Sequence, residues 1–391
     1  MAATAPAAVT AGGGWEEEGG EDDGCWAFLW RLVKAVMRAL TGRGELERLL
    51  ASGPHTPAMT AAFSGYLRRS RVLAVVRREM EGGGGGEDGA YVVRIVGLKG
   101  IRAEQAAFRA LLLPNLRACV AAVRGGLSLL GTLTAMARVP YDAGNREHEA
   151  GLAAVWGVLG GGRALTARGS KQWEGIGVQG ADPATDFRGM GVLGLRCLTY
   201  LTAHYGAQAR AIVVATELPY RGYPLAITVF QIGEYAMHLV RSRAVQAYLA
   251  ATAEAAAALL PAGTEAGDAA DTGLQQYLDI VARLVFWFDS HWIAAKPRNL
   301  MDFPAVFKSF QAVVKRRCDF PPLDAAALFP PCPLPPAPAL AAAAATGGGG
   351  GAAVGGDGGG SFVNPLAAIS RVASPPPTPG GAAARPVSSV V

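Results

Sequence analysis

The stretch from Trp173 to Leu198 reads WEGIGVQGADPATDFRGMGVLGLRCL, and whether it is a nucleotide-binding loop or a capped helix decides the fold. Gly175, Gly177 and Gly180 spell GxGxxG. A dinucleotide fingerprint of that form follows a hydrophobic strand, opens directly into a helix and places an acidic residue about 20 positions further on. Here SKQWE precedes the glycines, Asp182-Pro183 follows them, and the chain around Tyr200 is apolar or aromatic. No GxxxxGK[ST] occurs either, so nucleotide binding by this chain itself is rejected. The segment reads instead as a glycine-rich loop closed by Asp182-Pro183-Ala184-Thr185-Asp186, with Thr185 or Asp186 capping a helix that begins near Phe187. Gly189, Gly191 and Gly194 then fall inside that helix. Each costs up to about 1 kcal/mol there relative to alanine, which points to close backbone packing.

Arg188 is the awkward residue. In the first turn of such a helix a cation opposes the macrodipole, at a cost of roughly 0.3–1 kcal/mol. Asp182 and Asp186 are close enough in sequence to offset it, so the residues alone read as a structural ion pair. Trp173 and Phe187 read as core anchors on either side of the loop.

Outward from this segment, helical patterning runs from Tyr91 to about Phe320. It covers 103–113, 115–137, 146–159, 187–205, 207–217, 225–239, 241–260, 273–293 and 303–317. Two runs, YVVRIVG at 91–97 and AIVVAT at 211–216, are strand candidates, but neither is followed by the alternation that a parallel sheet needs. The fold class is all-α: one large helical domain over 91–320, preceded by a basic helical segment at 25–80 and a glycine linker at 81–90. Residues 1–24 are Ala, Gly and acid, and 321–391 are rich in Pro, Ala and Gly, so both are expected to be disordered.

Charge and cysteine usage exclude several classes. The net charge of +5 is too small for this length to argue for a nucleic-acid partner. The five cysteines are widely spaced, without CxxC or a neighbouring histidine pair, which implies a reducing compartment and no metal site. No cofactor is expected. The five histidines are scattered without ligand or nucleophile spacing. No secretory leader or transmembrane span is expected, and the localisation read from the sequence is cytoplasmic. Residues 25–40, CWAFLWRLVKAVMRAL, form an apolar helix with a thin basic stripe of Arg31, Lys34 and Arg38. Its favoured destination is the protein's own core, and the alternative is peripheral contact with a membrane surface.

The spacing of Trp173, Gly177, Gln179, Pro183, Thr185, Asp186, Phe187, Arg188, Gly189, Gly191, Leu195 and Leu198 resembles the signature of the ELMO domain, in particular that of the ELMO domain-containing proteins. The likeness continues in YPLAITVF at 223–230 and in the Trp292–Phe303 segment ending MDF. Val178 departs from the pattern, where the family favours phenylalanine. The resemblance implies an all-helical module that activates a small GTPase of the Arf or Arf-like family, with Arg188 as the arginine supplied in trans. On that reading Gln179 contacts the GTPase, Asp186 caps the helix and orients the guanidinium, and Gly189 and Gly191 let a partner or a neighbouring helix approach. The runner-up is a scaffold of the kind formed by the longer ELMO proteins, which associate with Dock-type exchange factors.

Overall fold

The computed structural model describes residues 32–33, 35–83, 86–101, 106–215, 222–259 and 267–333. The expected tails at 1–24 and from 334 onward lie outside the described residues, as do 25–31 of the N-terminal helix. Among the described residues the structure is helical and holds no strand. The described positions within 32–41 form a first helix, α1. It is followed by α2 (Glu45–Leu50), α3 (Pro57–Arg69), α4 (Ala74–Glu81), α5 (Asp88–Lys99), α6 (Ala106–Arg138), α7 (Arg146–Leu159), α8 (Gly191–Ala215), α9 (Leu225–Arg241), α10 (Gln246–Leu259), α11 (Gly267–Ala295) and α12 (Phe303–Asp319).

Two apolar clusters make up the interior, and α6 serves both. Leu112, Leu116, Val120 and Val123 recur at helical spacing and meet Phe63 and Leu67 of α3, Val76 and Met80 of α4, and Tyr91, Val92 and Ile95 of α5. Further along the same helix, Leu129, Leu133 and Met136 enter a second cluster built from α7 to α12. The 109–138 part of α6 has the length and apolar composition of a membrane span. Here one face of it, with Leu112, Leu116, Val120, Leu129 and Leu133, is packed into the two cores, while Leu111 is exposed. Glycines 82–86 lie between α4 and α5, which share the first cluster, so one core continues across them. Polar contacts tie the clusters together: Arg68 donates to the Ser242 carbonyl at 2.7 Å, Gln246 to the Ala122 carbonyl at 2.9 Å, and Arg243 pairs with Glu81 at 2.9 Å.

Several expectations are corrected. YVVRIVG is part of α5, because Tyr91, Val92 and Ile95 present one helical face to the core and that burial outweighs β propensity. AIVVA at 211–215 is the end of α8. The break expected at Pro114 is absent, and 106–138 is one helix with the proline inside it. The break expected near 206 is a kink within α8 at Tyr205, where φ is −134° and ψ is 32°. Residues 321–333, read from sequence as tail, fold back onto the helices: Leu328 and Phe329 are buried, and Phe329 meets Tyr248 edge-on at 5.1 Å. The favoured internal burial of the N-terminal helix does not hold for its described part, since Leu32, Val33, Val36, Met37 and Leu40 are all exposed.

Candidate functional site

The candidate site is a long loop between α7 and α8, held by side chains rather than by regular structure. Ser170 caps a 3-10 turn, Lys171–Ile176, by accepting from the Gln172 amide. The Ser170 amide donates to the Ala181 carbonyl at 2.9 Å, which closes the loop on itself. Gln172 Oε1 accepts from the Thr166 amide at 2.8 Å and from the Ser170 hydroxyl at 3.1 Å. Trp173 is fully buried, sits edge-on to Trp156 at 5.1 Å and donates its indole N–H to the Arg168 carbonyl at 2.8 Å. An apolar anchor with one polar tip satisfied is the arrangement expected of a buried tryptophan.

Two glycines are required where they stand. Gly177 has φ +88°, and a Cβ there would overlap the backbone of Pro224 and Leu225, so the turn lies directly on the start of α9. The Ile227 amide donates to the Gly177 carbonyl at 3.2 Å. Gly191 has φ +48°, and a Cβ would overlap the Val139 carbonyl oxygen, which accepts from the Val192 amide at 2.9 Å. Close backbone packing, the expectation for Gly191, is therefore present. Gly189 is different: it is exposed and a Cβ on it would meet nothing within 4 Å.

The local geometry around Arg188 departs from the sequence expectation. A second 3-10 turn spans Pro183–Arg188, and α8 starts at Gly191, so Arg188 ends a short turn instead of occupying the first turn of the helix. Pro183 is buried at the start of that turn, and Asp182 caps it by accepting from the Ala184 amide at 3.0 Å. Asp186, expected as the helix cap, instead accepts from the Gln179 amide at 2.7 Å and joins the two halves of the loop. Thr185 is exposed and donates its hydroxyl to the Asp182 carbonyl at 2.9 Å. Phe187 is buried, stacked on Tyr141 at 4.7 Å and tilted against Phe230 at 5.1 Å. Trp173, Pro183 and Phe187 thus hold the loop from inside, while Gln179, Thr185, Arg188 and Gly189 lie on its exposed side.

Both acids that flank Arg188 are engaged elsewhere. Arg168 bridges Glu149 at 2.9 Å and Asp182 at 3.0 Å, and Glu149 also accepts from the Tyr141 hydroxyl at 2.7 Å. This strut runs from α7 under the loop to the cap of the second turn, and Arg168 was not singled out in the sequence. No local pattern marks it, since Glu149 lies 19 positions away in the chain. Arg188 itself makes no hydrogen bond or ion pair among the described residues. Its charge still reaches Asp186: burial pushes that carboxyl above its ordinary value, and the Gln179 amide, Thr185 and Arg188 pull it back down. A surface arginine with no internal partner, on a braced loop, can address an anionic group brought to it from outside.

No group of three or more His, Cys, Asp and Glu side chains is arranged to hold a metal ion among the described residues. His148 is buried and its Nδ1 accepts from the Asp142 amide at 3.1 Å, which is a packing role. Burial pushes the Cys119 thiol up to about 11 and the Cys197 thiol up to about 12, away from thiolate chemistry.

Comparison with known proteins bears on the same region. Residues 131–307 match the ELMO/CED-12 family. The chain is 29% identical over 296 residues to ELMO domain-containing protein B of Dictyostelium discoideum, covering 75% of this chain and 97% of that protein. It is 29% identical over 289 residues to ELMO domain-containing protein 2 of Homo sapiens, covering 72% and 89%. With ELMO domain-containing protein 1 of Mus musculus the identity is 28% over 317 residues, covering 75% and 89%. No solved structure matches the chain. Over about three quarters of its length the chain is similar to ELMO domain-containing proteins, and the loop that carries Arg188 lies inside the segment that matches the ELMO/CED-12 family.

Proposed function

We propose that the protein is a GTPase activator for a small GTPase of the Arf or Arf-like family, with Arg188 supplied in trans to the partner's bound nucleotide. One observation carries the reading: Arg188 stands exposed on a braced loop while both neighbouring carboxylates are engaged elsewhere. The GTPase supplies nucleotide, metal and attacking water. Arg188 places a planar, permanently charged fork against the negative charge spread over the transferring phosphoryl oxygens. Asp186 acts at one remove, by fixing the Gln179 backbone and the turn that presents Arg188. Gln179 and Thr185 are assigned to the partner contact. In this reading the chain is an activator, and the bond cleavage belongs to the partner.

Single-turnover GTP hydrolysis by a panel of Arf-family GTPases tests this directly. A trans arginine is worth about 10³–10⁵ in turnover, and Arg188→Ala should remove most of it. Equal stimulation by wild type and variant would refute the arginine mechanism. Capture of a Dock-type exchange factor with no stimulation of any GTPase would favour a scaffold instead.

A second part of the reading concerns α1. Its exposed Leu32, Val33, Val36, Met37 and Leu40, with Arg31, Lys34 and Arg38 in the same sequence, suit a lipid surface that takes apolar side chains beside cations. Flotation with anionic liposomes should be lost on deleting residues 1–44. Retention of binding after that deletion would exclude α1 as the anchor.

A further inference from the structure

Beside the Arg188 loop, a second turn presents apolar side chains to solvent and is held rigid while doing so. Leu300 is 50% exposed and Met301 85% exposed on the 3-10 turn Leu300–Asp302. The Met301 amide donates to Asn299 Oδ1 at 2.9 Å. Arg298 closes the turn on Asp302 three times: its amide and Nε donate to Oδ2 at 2.9 and 3.2 Å, and its terminal nitrogen donates to Oδ1 at 3.0 Å. At the far end of the turn Phe303 packs against Trp292 at 5.7 Å. Exposed leucine and methionine are ordinarily mobile, and here the backbone that carries them is fixed in advance, which lowers the ordering cost of association.

Leu300 is also one wall of a groove. The opposite wall is the Glu174–Val178 turn, and the floor is Val213, Tyr223, Pro224 and Leu225. Tyr223 is fixed there by donating to Asp289 at 3.0 Å and by edge contacts with Phe288 and Trp292. The groove has a volume of about 260 Å³. Sites for drug-sized molecules run to about 300–1,000 Å³, so this one has room for a single large side chain. Its wall is continuous with the arginine: Val178 lines the groove, and the next amide, that of Gln179, is held by Asp186, two residues before Arg188. A body that brought a nucleotide to Arg188 would pass beside this groove.

We propose that the groove between Glu174–Val178 and Leu300, with Met301 exposed next to Leu300 on the same turn, receives an apolar side chain projecting from the GTPase whose nucleotide Arg188 meets. This rests on the GTPase-activator reading of Arg188. The division of labour is one of binding and turnover: the groove supplies affinity through apolar burial, and Arg188 acts on the bound nucleotide. The arginine and the groove then form two parts of one docking face.

The test uses the full chain with Leu300→Asp, Met301→Asp, the double variant and Arg188→Ala, against an Arf-family panel. Affinity for GTPase loaded with a non-hydrolysable GTP analogue and the concentration dependence of single-turnover hydrolysis are both measured. Met301→Leu serves as the conservative control, and thermal melting checks each fold. The rim charges should raise the half-saturating concentration by about tenfold to a hundredfold, the loss expected when one large side chain is no longer buried. The rate at saturation should be unchanged, and Met301→Leu should behave as wild type. Arg188→Ala should do the opposite, lowering the saturated rate with affinity nearly kept. If the rim variants bind as wild type, the groove proposal is overturned and the arginine reading stands. If the rim variants lose affinity while Arg188→Ala is fully active, the arginine reading falls and the groove stands. Transfer of the rim effect to liposome binding, with GTPase affinity intact, would also overturn the groove's assignment.

Discussion

Of the arginines in the loop between α7 and α8, Arg168 and Arg188 stand in opposite circumstances. Arg168 is locked between Glu149 and Asp182, and its backbone carbonyl takes the Trp173 indole, so its charge is consumed within the protein. Arg188 lies at the end of the next turn, exposed and unpaired among the described residues, close enough to Asp186 for its charge to be felt there. The difference shows that neither local charge nor sequence neighbours decide an arginine's role. What decides it is whether the nearby carboxylates have already been claimed. By taking Asp182, Arg168 leaves Arg188 without one of the two acids that would otherwise hold it.

That contrast breaks most sharply at Arg188. Arg188→Ala should reduce stimulated GTP hydrolysis by about 10³-fold or more, with the melting transition shifted by no more than an exposed substitution shifts it. Arg188→Lys should recover little, because a point-like ammonium lacks the planar fork that pairs with two oxygens side by side. The interior anchors should behave in reverse. Trp173→Ala is expected to destabilise the fold by about 3–5 kcal/mol in denaturant titration, since the side chain is fully buried. Arg168→Ala comes next: its side chain is more than a third exposed, so the stability cost should stay at about 1 kcal/mol or less. It would free Asp182, and if the contrast is correct, hydrolysis should fall because Arg188 gains an internal partner. Unchanged hydrolysis in Arg168→Ala would remove the strut from the account.

Asp186 sharpens the comparison through pH. Burial holds its folded pKa above 3.8, so in the window upward from that value the folded chain keeps a proton that the unfolded chain has released. The stability this group contributes is present at lower pH and is lost as pH rises through the raised value. Asp186→Asn removes the titration, so its melting temperature relative to wild type should rise across that window. A constant difference would show that Asp186 is not desolvated as described. The smallest effect is expected at Gly189, which faces open space, where alanine should leave both stability and hydrolysis near wild type.

Much of the helical frame was legible because its ends carry chemical marks. Asn145 accepts from the Glu147 and His148 amides and Gly160 follows the last turn, so the 146–159 reading coincides with α7. Where the reading failed, a distant contact overrode a local preference. The β-branched run at 91–97 became helix because its face was wanted by α6, and Pro114 was absorbed into a helix shared by two cores. At the site, glycine and aromatic roles were readable, since Gly191 and Phe187 answer to steric and apolar rules that act locally. The capping assignment was not. Pro183 starts a separate turn, which moved the cap to Asp182 and left Asp186 free to bind the other half of the loop. The strut through Arg168 depends on Glu149 in another helix, and no spacing in the chain announces it.

α6 has a practical consequence for anyone who would isolate the half that carries Arg188. The family match begins at residue 131, well inside a helix that runs Ala106–Arg138. A fragment trimmed to that match would begin midway along the spine of the molecule. It would keep Leu133 and Met136 while discarding the turns that hold them in register, and at the other end it would lose Phe310, Val314, Leu328 and Phe329. Because one rigid helix is common to both interiors, the halves should melt together in a single transition, and the smallest autonomous piece of this protein is larger than its recognisable domain.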